Sequence, residues 1–303
     1  MQWALYASGA RTLEAIRDHS EQEILAREWP ELAGLLPSDL RFERLYYGQE
    51  LCERLIPSAR EVHHARRVAR ERGWQLSLVT YAPSDAALDG WIAVLDAIRS
   101  GGGAEDGFED GFQHGFEDGF EIVVNDFGLL VACREHVGDA PIVLGRHMKR
   151  MLKDHRLPAA TPQVEWDREE IALLKDRGVS RVELDLTPSG LPEVKDLPFP
   201  ASAYLPCGCM ATGRACMSGS LRLPSERKFR PAAPCGRECR AVSFDLEDPA
   251  GPRDADAAPV RLFLRGNTVF FVPSPRVLED SLRTLGARGF DRAVLQVGPP
   301  IGG

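Results

Sequence analysis

The 303-residue chain has no Cys-x-x-Cys pair, no His-Glu-x-x-His helix and no apolar run approaching the roughly 20 residues that span a bilayer. The first absence argues against zinc ribbons and knuckles, which pair their cysteines two residues apart. The second removes the zincin signature, and the third removes a helical membrane span. No positively charged leader precedes an apolar run, so no secretory signal is visible and disulfides are the weakest use for the seven cysteines. Basic charge is also in deficit. Lys and Arg number 37 against 45 Asp and Glu, a net charge of -8, which leaves no overall basic footprint and disfavours a nucleic-acid partner. These absences predict a soluble, cytoplasmic protein whose thiols stay reduced or metal-bound.

What the sequence does have is sulfur in one place. Cys207, Cys209, Cys216, Cys235 and Cys239 fall within residues 204–240, among Gly, Pro and basic residues with little apolar periodicity. This reads as a cysteine-rich loop that presents thiols to a metal. The spacings from Cys209 through Cys216 and Cys235 to Cys239 are looser than a zinc knuckle. They suit an iron-sulfur cluster, which needs about four thiolates converging from any loops. Zinc and inert free thiols stay open as alternatives.

The rest of the chain alternates strand and helix, the mark of a parallel sheet. Strands are predicted at 5–8, 44–47, 75–81, 121–125, 141–145, 181–186 and 292–297, and a hairpin at 261–264 and 268–272 around Gly266-Asn267. Helices are predicted to start at 12–19, to cover 21–36, 58–72, 91–99, 129–135 and 168–178, and to run from a Ser274 cap through Leu285. The fold class is therefore α/β: a TIM-like (β/α) barrel, not necessarily regular, spanning 1–303 as a single domain. With 44% hydrophobic residues the chain can bury the core this requires.

Several local features carry two readings. On helix 58–72, Val62, Ala65, Val68 and Ala69 point inward and Arg60, Arg66, Arg67, Arg70 and Arg72 outward, as a solvated face or an anion-binding one. His63 and His64 are adjacent and so cannot form an i, i+4 ligand pair. Residues 101–120 are a low-complexity Gly-Phe-acidic insertion that repeats Phe every four positions, at Phe108, Phe112, Phe116 and Phe120. Cys133 is predicted to be a core thiol beside Leu130. Arg146-His147-Met148-Lys149-Arg150 follows a strand and falls on the rim where barrel chemistry collects, as a carboxylate-binding cluster or a solvated helix start.

The string GCMATGRACMSGS followed by PCGRECR resembles the signature of the collagenase-like peptidase U32 family. The peptidase signature's Glu before its first Cys is missing from Pro200-Ala201-Ser202-Ala203, and Ala215 is inserted before Cys216, so the resemblance turns from proteolysis toward the UbiU/UbiV branch of ubiquinone biosynthesis. There, related chains hold a four-iron four-sulfur (4Fe-4S) cluster and support oxygen-independent hydroxylation. The segment Tyr46-Tyr47-Gly48-Gln49-Glu50-Leu51-Cys52 is similar to a Tyr-Leu-Gly-Glu-x-x-Cys stretch of the UbiV-like members. The resemblance implies Cys52, Cys216, Cys235 and Cys239 as ligands, a UbiU-like U32 partner in a heterodimer, a small-molecule quinone precursor as substrate and prephenate as oxygen donor. Cys207 and Cys209 are then surplus, and either can replace Cys52. RNA hydroxylation, peptidase activity without a recognisable nucleophile and His partner, and a zinc-binding structural module are the alternatives.

Overall fold

The structure, a computed structural model, describes residues 1–81, 84–100, 119–149, 151, 164, 166–231, 233–247 and 260–298. The Gly-Phe repeat before Gly119 and Arg150 of the rim cluster lie outside the described residues.

Strands β1 (Gln2–Ala7), β2 (Arg44–Gly48), β3 (Gln75–Val79), β4 (Glu121–Val124), β5 (Ile142–Leu144), β6 (Val179–Asp185), β7 (Ala201–Leu205) and β12 (Arg292–Val297) pair in parallel and close into an eight-stranded barrel. Closure comes from β1, which pairs with β2 on one side and with β12 on the other. The period of two sorts side chains cleanly. Ala4, Tyr6, Tyr46, Val79, Val123, Val143, Tyr204 and Val294 form a buried cluster of their own, while Leu5, Leu45, Leu78, Ile122 and Leu184 join the separate core shared with the helices.

The helices are α1 (Ala10–Asp18), α2 (Glu21–Glu28), α3 (Pro30–Ala33), α4 (Ala59–Glu71), α5 (Asp85–Ser100), α6 (Phe127–Val137), α7 (Arg168–Asp176), α8 (Met217–Ser220) and α9 (Pro275–Thr284). Ser20 with Glu23, and Ser58 with Glu61, close capping boxes that start α2 and α4. The single helix expected over 21–36 breaks at Trp29, because Pro30 has no N–H to continue the ladder and instead opens α3.

Helix α4 keeps Val62, Ala65, Val68 and Ala69 buried, but Arg66 and His63 are buried with them. Arg60, Arg67 and Arg70 are exposed as expected, while the C-cap Arg72 donates to the carbonyls of Ile16 and His19 around the end of α1, and His64 meets Glu14 at 2.7 Å. Cys133 is a core thiol, as expected, and burial pushes it up to about 12.

Two departures from the sequence reading shape the site. The sequence Ala201–Leu205, where no strand is predicted, is the barrel strand β7, and β6 reaches it with no intervening helix. Its small Ala and Ser residues between prolines hide the usual β-branched signal. The predicted hairpin lies outside the barrel. Its strands β10 (Val260–Arg265) and β11 (Thr268–Pro273) join β8 (Gly208–Thr212) and β9 (Phe244–Leu246) in a four-stranded antiparallel sheet. Cys207 and Cys209 therefore flank and enter a strand rather than a free loop.

The barrel interior is polar at its N-terminal end. Arg292 donates to Glu121 at 2.5 Å and to the Tyr46 hydroxyl at 2.8 Å, and Ser77 donates to Glu121 at 2.7 Å. Although burial opposes it, Arg44 and Arg292 hold the Glu121 carboxyl below the usual range. Glu183 is different: it is 1% exposed, and the hydrogen bond that Tyr46 offers its carboxylate is too weak to offset burial. Burial, with the charges of Glu121 and Glu50, pushes it up to about 8 from 4.5. The folded state thus keeps a proton that the unfolded chain releases, so stability falls as pH rises from about 4.5 to about 8. Glu183→Gln removes this slope. Its melting temperature should exceed wild type near pH 8 and converge with it near pH 5, the gap growing by at most about 1.4 kcal/mol per pH unit. A variant advantage independent of pH contradicts this account.

Candidate metal centre

The site begins with the end of β2. Gly48 takes φ +133° and its backbone runs so close to β3 that a Cβ would stand 2.2 Å from the Val79 carbonyl oxygen. Only glycine allows both. The chain then turns through Gln49 and Glu50 into Cys52, which precedes a single 3-10 turn at Glu53–Leu55.

That turn is anchored from beneath by Arg146. The guanidinium is 1% exposed and clamps Glu50 with two bonds, Nε to Oε2 at 3.0 Å and Nη2 to Oε1. Nη1 donates to Asp185 Oδ1 at 2.8 Å and to the Cys207 carbonyl at 3.2 Å, and the group lies 4.2 Å over the Tyr204 ring. Asp185 in turn accepts the Cys209 N–H at 2.8 Å. One cation thereby ties the ends of β2, β5 and β6 to the start of β8. Against burial, Arg146 and His147 hold Glu50 down to about 2. Arg146, the first residue of the rim cluster expected to face a substrate or solvent, is thus satisfied by the protein's own carboxylates.

His147 Nε2 stands 3.3 Å from Glu50 Oε2. Burial would lower the imidazole, but a hydrogen bond to Cys209 and its charge, with Glu50, raise it to about 9. A cysteine with a His neighbour, which no motif in the sequence announces, therefore exists. Cys209 is only 4% exposed, and its sulfur lies 3.2 Å from the Thr212 hydroxyl.

From above, the β10–β11 turn holds the same stretch. Asn267 Nδ2 donates to the Leu51 carbonyl at 2.8 Å and to the Gly213 carbonyl at 2.7 Å, bridging the Cys52 turn to the cysteine-rich segment. Gly266 accepts the Met217 N–H and donates to Ser218 Oγ, at 3.0 Å in each case, which fixes α8 and its first residue's neighbour, Cys216.

These anchors bring Cys52, Cys216, Cys235 and Cys239 to the wall of one cavity of about 170 Å³, with Arg54, Arg214, Arg230 and Arg237 on its rim. Three of the sulfurs accept backbone N–H groups from just downstream: Cys52 from Arg54, Cys216 from Gly219 at 3.2 Å, and Cys235 from Arg237 at 3.2 Å. Arg237 holds the left-handed φ of +63° to make that bond, a strained conformation for a residue with a side chain. A Cβ at Gly219 would meet the Cys235 sulfur at 3.3 Å and the Cys216 sulfur at 3.4 Å, so glycine there keeps the space between two thiols open.

Burial, and repulsion from Cys216 and Cys235, push Cys52 up to about 11; burial and the other three cysteines push Cys239 up to about 12. A metal must therefore displace protons from these thiols to bind. Among the described residues no three His, Cys, Asp or Glu side chains stand close enough to hold a single metal ion. Four thiols lining one cavity, three of them supplied with N–H donors, are the type of donor set that an iron-sulfur cluster takes. Cys207 and Cys209 do not line this cavity.

No family model matches the chain, and comparison with curated proteins finds no match. Among solved structures it is similar to the U32 peptidase Mk0906, at 14% identity over 98% of this chain and 92% of that one, with a TM-score of 0.38. It is also similar to a glycoside hydrolase family 18 N-acetylglucosaminidase from Paenibacillus barengoltzii, at 11% identity, 97% and 94% coverage and a TM-score of 0.30. A family 18 chitinase from Cycas revoluta aligns at 10% identity, with the same coverages and a TM-score of 0.36. Likenesses this distant carry no functional argument, and the barrel rests on its own strand pairing.

Asn267→Ala removes both bonds of the bridge while leaving every cysteine in place. The expected cost is about 1–3 kcal/mol, with faster alkylation of Cys52 in the metal-free protein and an unchanged rate at Cys133. Unaltered Cys52 reactivity would show that Asn267 does not hold the turn.

Proposed function

We propose that the chain is an iron-sulfur protein that holds a 4Fe-4S cluster on Cys52, Cys216, Cys235 and Cys239. The observation that supports this most is the gathering of those thiols, from opposite parts of the sequence, around one cavity whose N–H donors point at sulfur. When bound on four cysteines, such a cluster supplies one-electron chemistry. The chain's own residues do the rest. Leu51 and Glu50, both at most 2% exposed, fix the approach to Cys52, and Arg54, Arg214, Arg230 and Arg237 line the cavity with positive charge.

The sequence resemblance extends this reading to the UbiV-like branch of the U32 family. On that reading the chain works with a UbiU-like partner in oxygen-independent hydroxylation of a quinone precursor, with prephenate as oxygen donor. The missing signature Glu, and a Cys209 buried away from the cavity, weigh against proteolysis.

Anaerobic purification followed by an optical spectrum and iron, sulfide and zinc analysis tests the ligand set on wild type, Cys52→Ser and Cys209→Ser. The expected wild type is brown, absorbs broadly near ~400 nm and carries about four irons. Iron should be lost in Cys52→Ser and kept in Cys209→Ser. A colourless protein containing zinc, or iron lost only in Cys209→Ser, would overturn the assignment.

A further inference from the structure

The charge of the chain is unevenly divided. Residues 204–240 carry Arg214, Arg222, Arg227, Lys228, Arg230, Arg237 and Arg240 against Glu226 and Glu238, a balance of 7 − 2 = +5. With a net charge of -8 overall, the rest of the chain is therefore at −13. The same segment exposes apolar side chains: Met217, Leu221 and Phe229 are 42%, 49% and 52% exposed. Exposed Arg beside Met and Phe is the composition of a protein-binding patch, in which Lys and Glu are depleted.

Phe229 is also strained into place. It holds a left-handed φ of +55°, and its N–H donates to Ser220 Oγ at 2.9 Å while Ser220 donates to the Cys216 carbonyl at 2.7 Å. A non-glycine residue kept in that region is held under backbone strain. The ring nevertheless stays half exposed, so the backbone conformation does not serve to bury it. The hydroxyl that fixes it is bonded to Cys216, whose thiol lines the cavity, and Arg214 and Arg230 belong both to the patch and to the cavity rim. The patch and the thiol cavity are thus one continuous surface.

From this we infer that the face formed by Arg214, Met217, Leu221, Arg222, Arg227 and Phe229 docks a small acidic electron-carrier protein, which exchanges electrons with the metal centre behind it. The electron-exchange part rests on the cluster reading; the docking part rests on the surface. An acidic partner complements the +5 segment, and Arg214 belongs both to this face and to the cavity lining. Only one electron moves, from the reduced carrier, which is oxidised, to the cluster, which is reduced. No bond is made and no proton is transferred. Positive residues at such a rim act chiefly on association rate and its salt dependence.

The test uses the anaerobically purified protein and a plant-type ferredoxin, an acidic one-electron carrier, as the probe. Iron and sulfide content is read first and decides the cluster reading on its own. Binding is then measured by calorimetry for wild type, for Arg222→Glu/Arg227→Glu, and for Arg276→Glu on α9 as a control; none of these residues lines the cavity. The double reversal is expected to weaken ferredoxin binding at least about tenfold and the control to leave it unchanged, with wild-type affinity falling as salt rises. Stopped-flow reduction by the reduced ferredoxin should slow in the double variant while iron content stays at the wild-type level. Equal affinity of wild type and double variant, salt-independent binding, or a patch that instead holds single-stranded RNA or a second copy of this chain would overturn the inference. Charge-dependent binding by an iron-free protein would retain the docking face and remove the electron exchange.

Discussion

The buried guanidinium of Arg146 is the contact on which the arrangement of the site depends. Sealed from water, it satisfies Glu50, Asp185 and the Cys207 carbonyl at once. A buried ion pair adds little net stability relative to an apolar replacement, yet removing one partner leaves the others uncompensated at a cost of several kcal/mol. Its value here is geometric. The ends of β2 and β6 and the entry to β8 have only one arrangement in which all these charges are met, and Cys52 follows Glu50 by two residues. The cysteine turn inherits its position from a salt bridge that contains no cysteine.

Above that floor the construction is made of short polar contacts rather than core packing. Asn267 joins the Cys52 turn to Gly213, Ser218 and Gly266 fix the start of α8, and successive N–H groups turn toward the sulfurs. Each is worth about 1 kcal/mol, so the segment is held at many points and weakly at each. Such a site tightens when a metal joins its four thiols, because ligand binding and local ordering are then the same event. Cys52, Cys216 and Cys239, pushed upward by burial and by their neighbouring thiols, give up protons as a metal binds.

Much of this was legible in the sequence where the signal is local. The short apolar runs RLYYG and EIVV, the amphipathic 58–72 segment and the Gly266-Asn267 turn each point to the element that forms. Strand β7 was not, because ASAYL lacks the bulky β-branched residues that mark a strand, and it forms through its neighbours β6 and β12. The same limit applied to Arg146. A basic residue within Arg-His-Met-Lys-Arg reads as solvated until the carboxylates of Glu50 and Asp185, distant in the chain, are known to enclose it. The sequence left Cys207 and Cys209 open as replacements for Cys52; the structure sets Cys209 on β8, paired to Phe270, with its N–H bonded to Asp185.

The most direct test is cysteine-by-cysteine alkylation, read by mass spectrometry, on the folded protein loaded with iron and sulfide and again after chelation. The account predicts that Cys52, Cys216, Cys235 and Cys239 are protected together when loaded and become reactive together when stripped, with Cys133, Cys207 and Cys209 slow in both states. Protection of Cys209 in place of Cys52, or four cysteines whose reactivity ignores the metal, would contradict it.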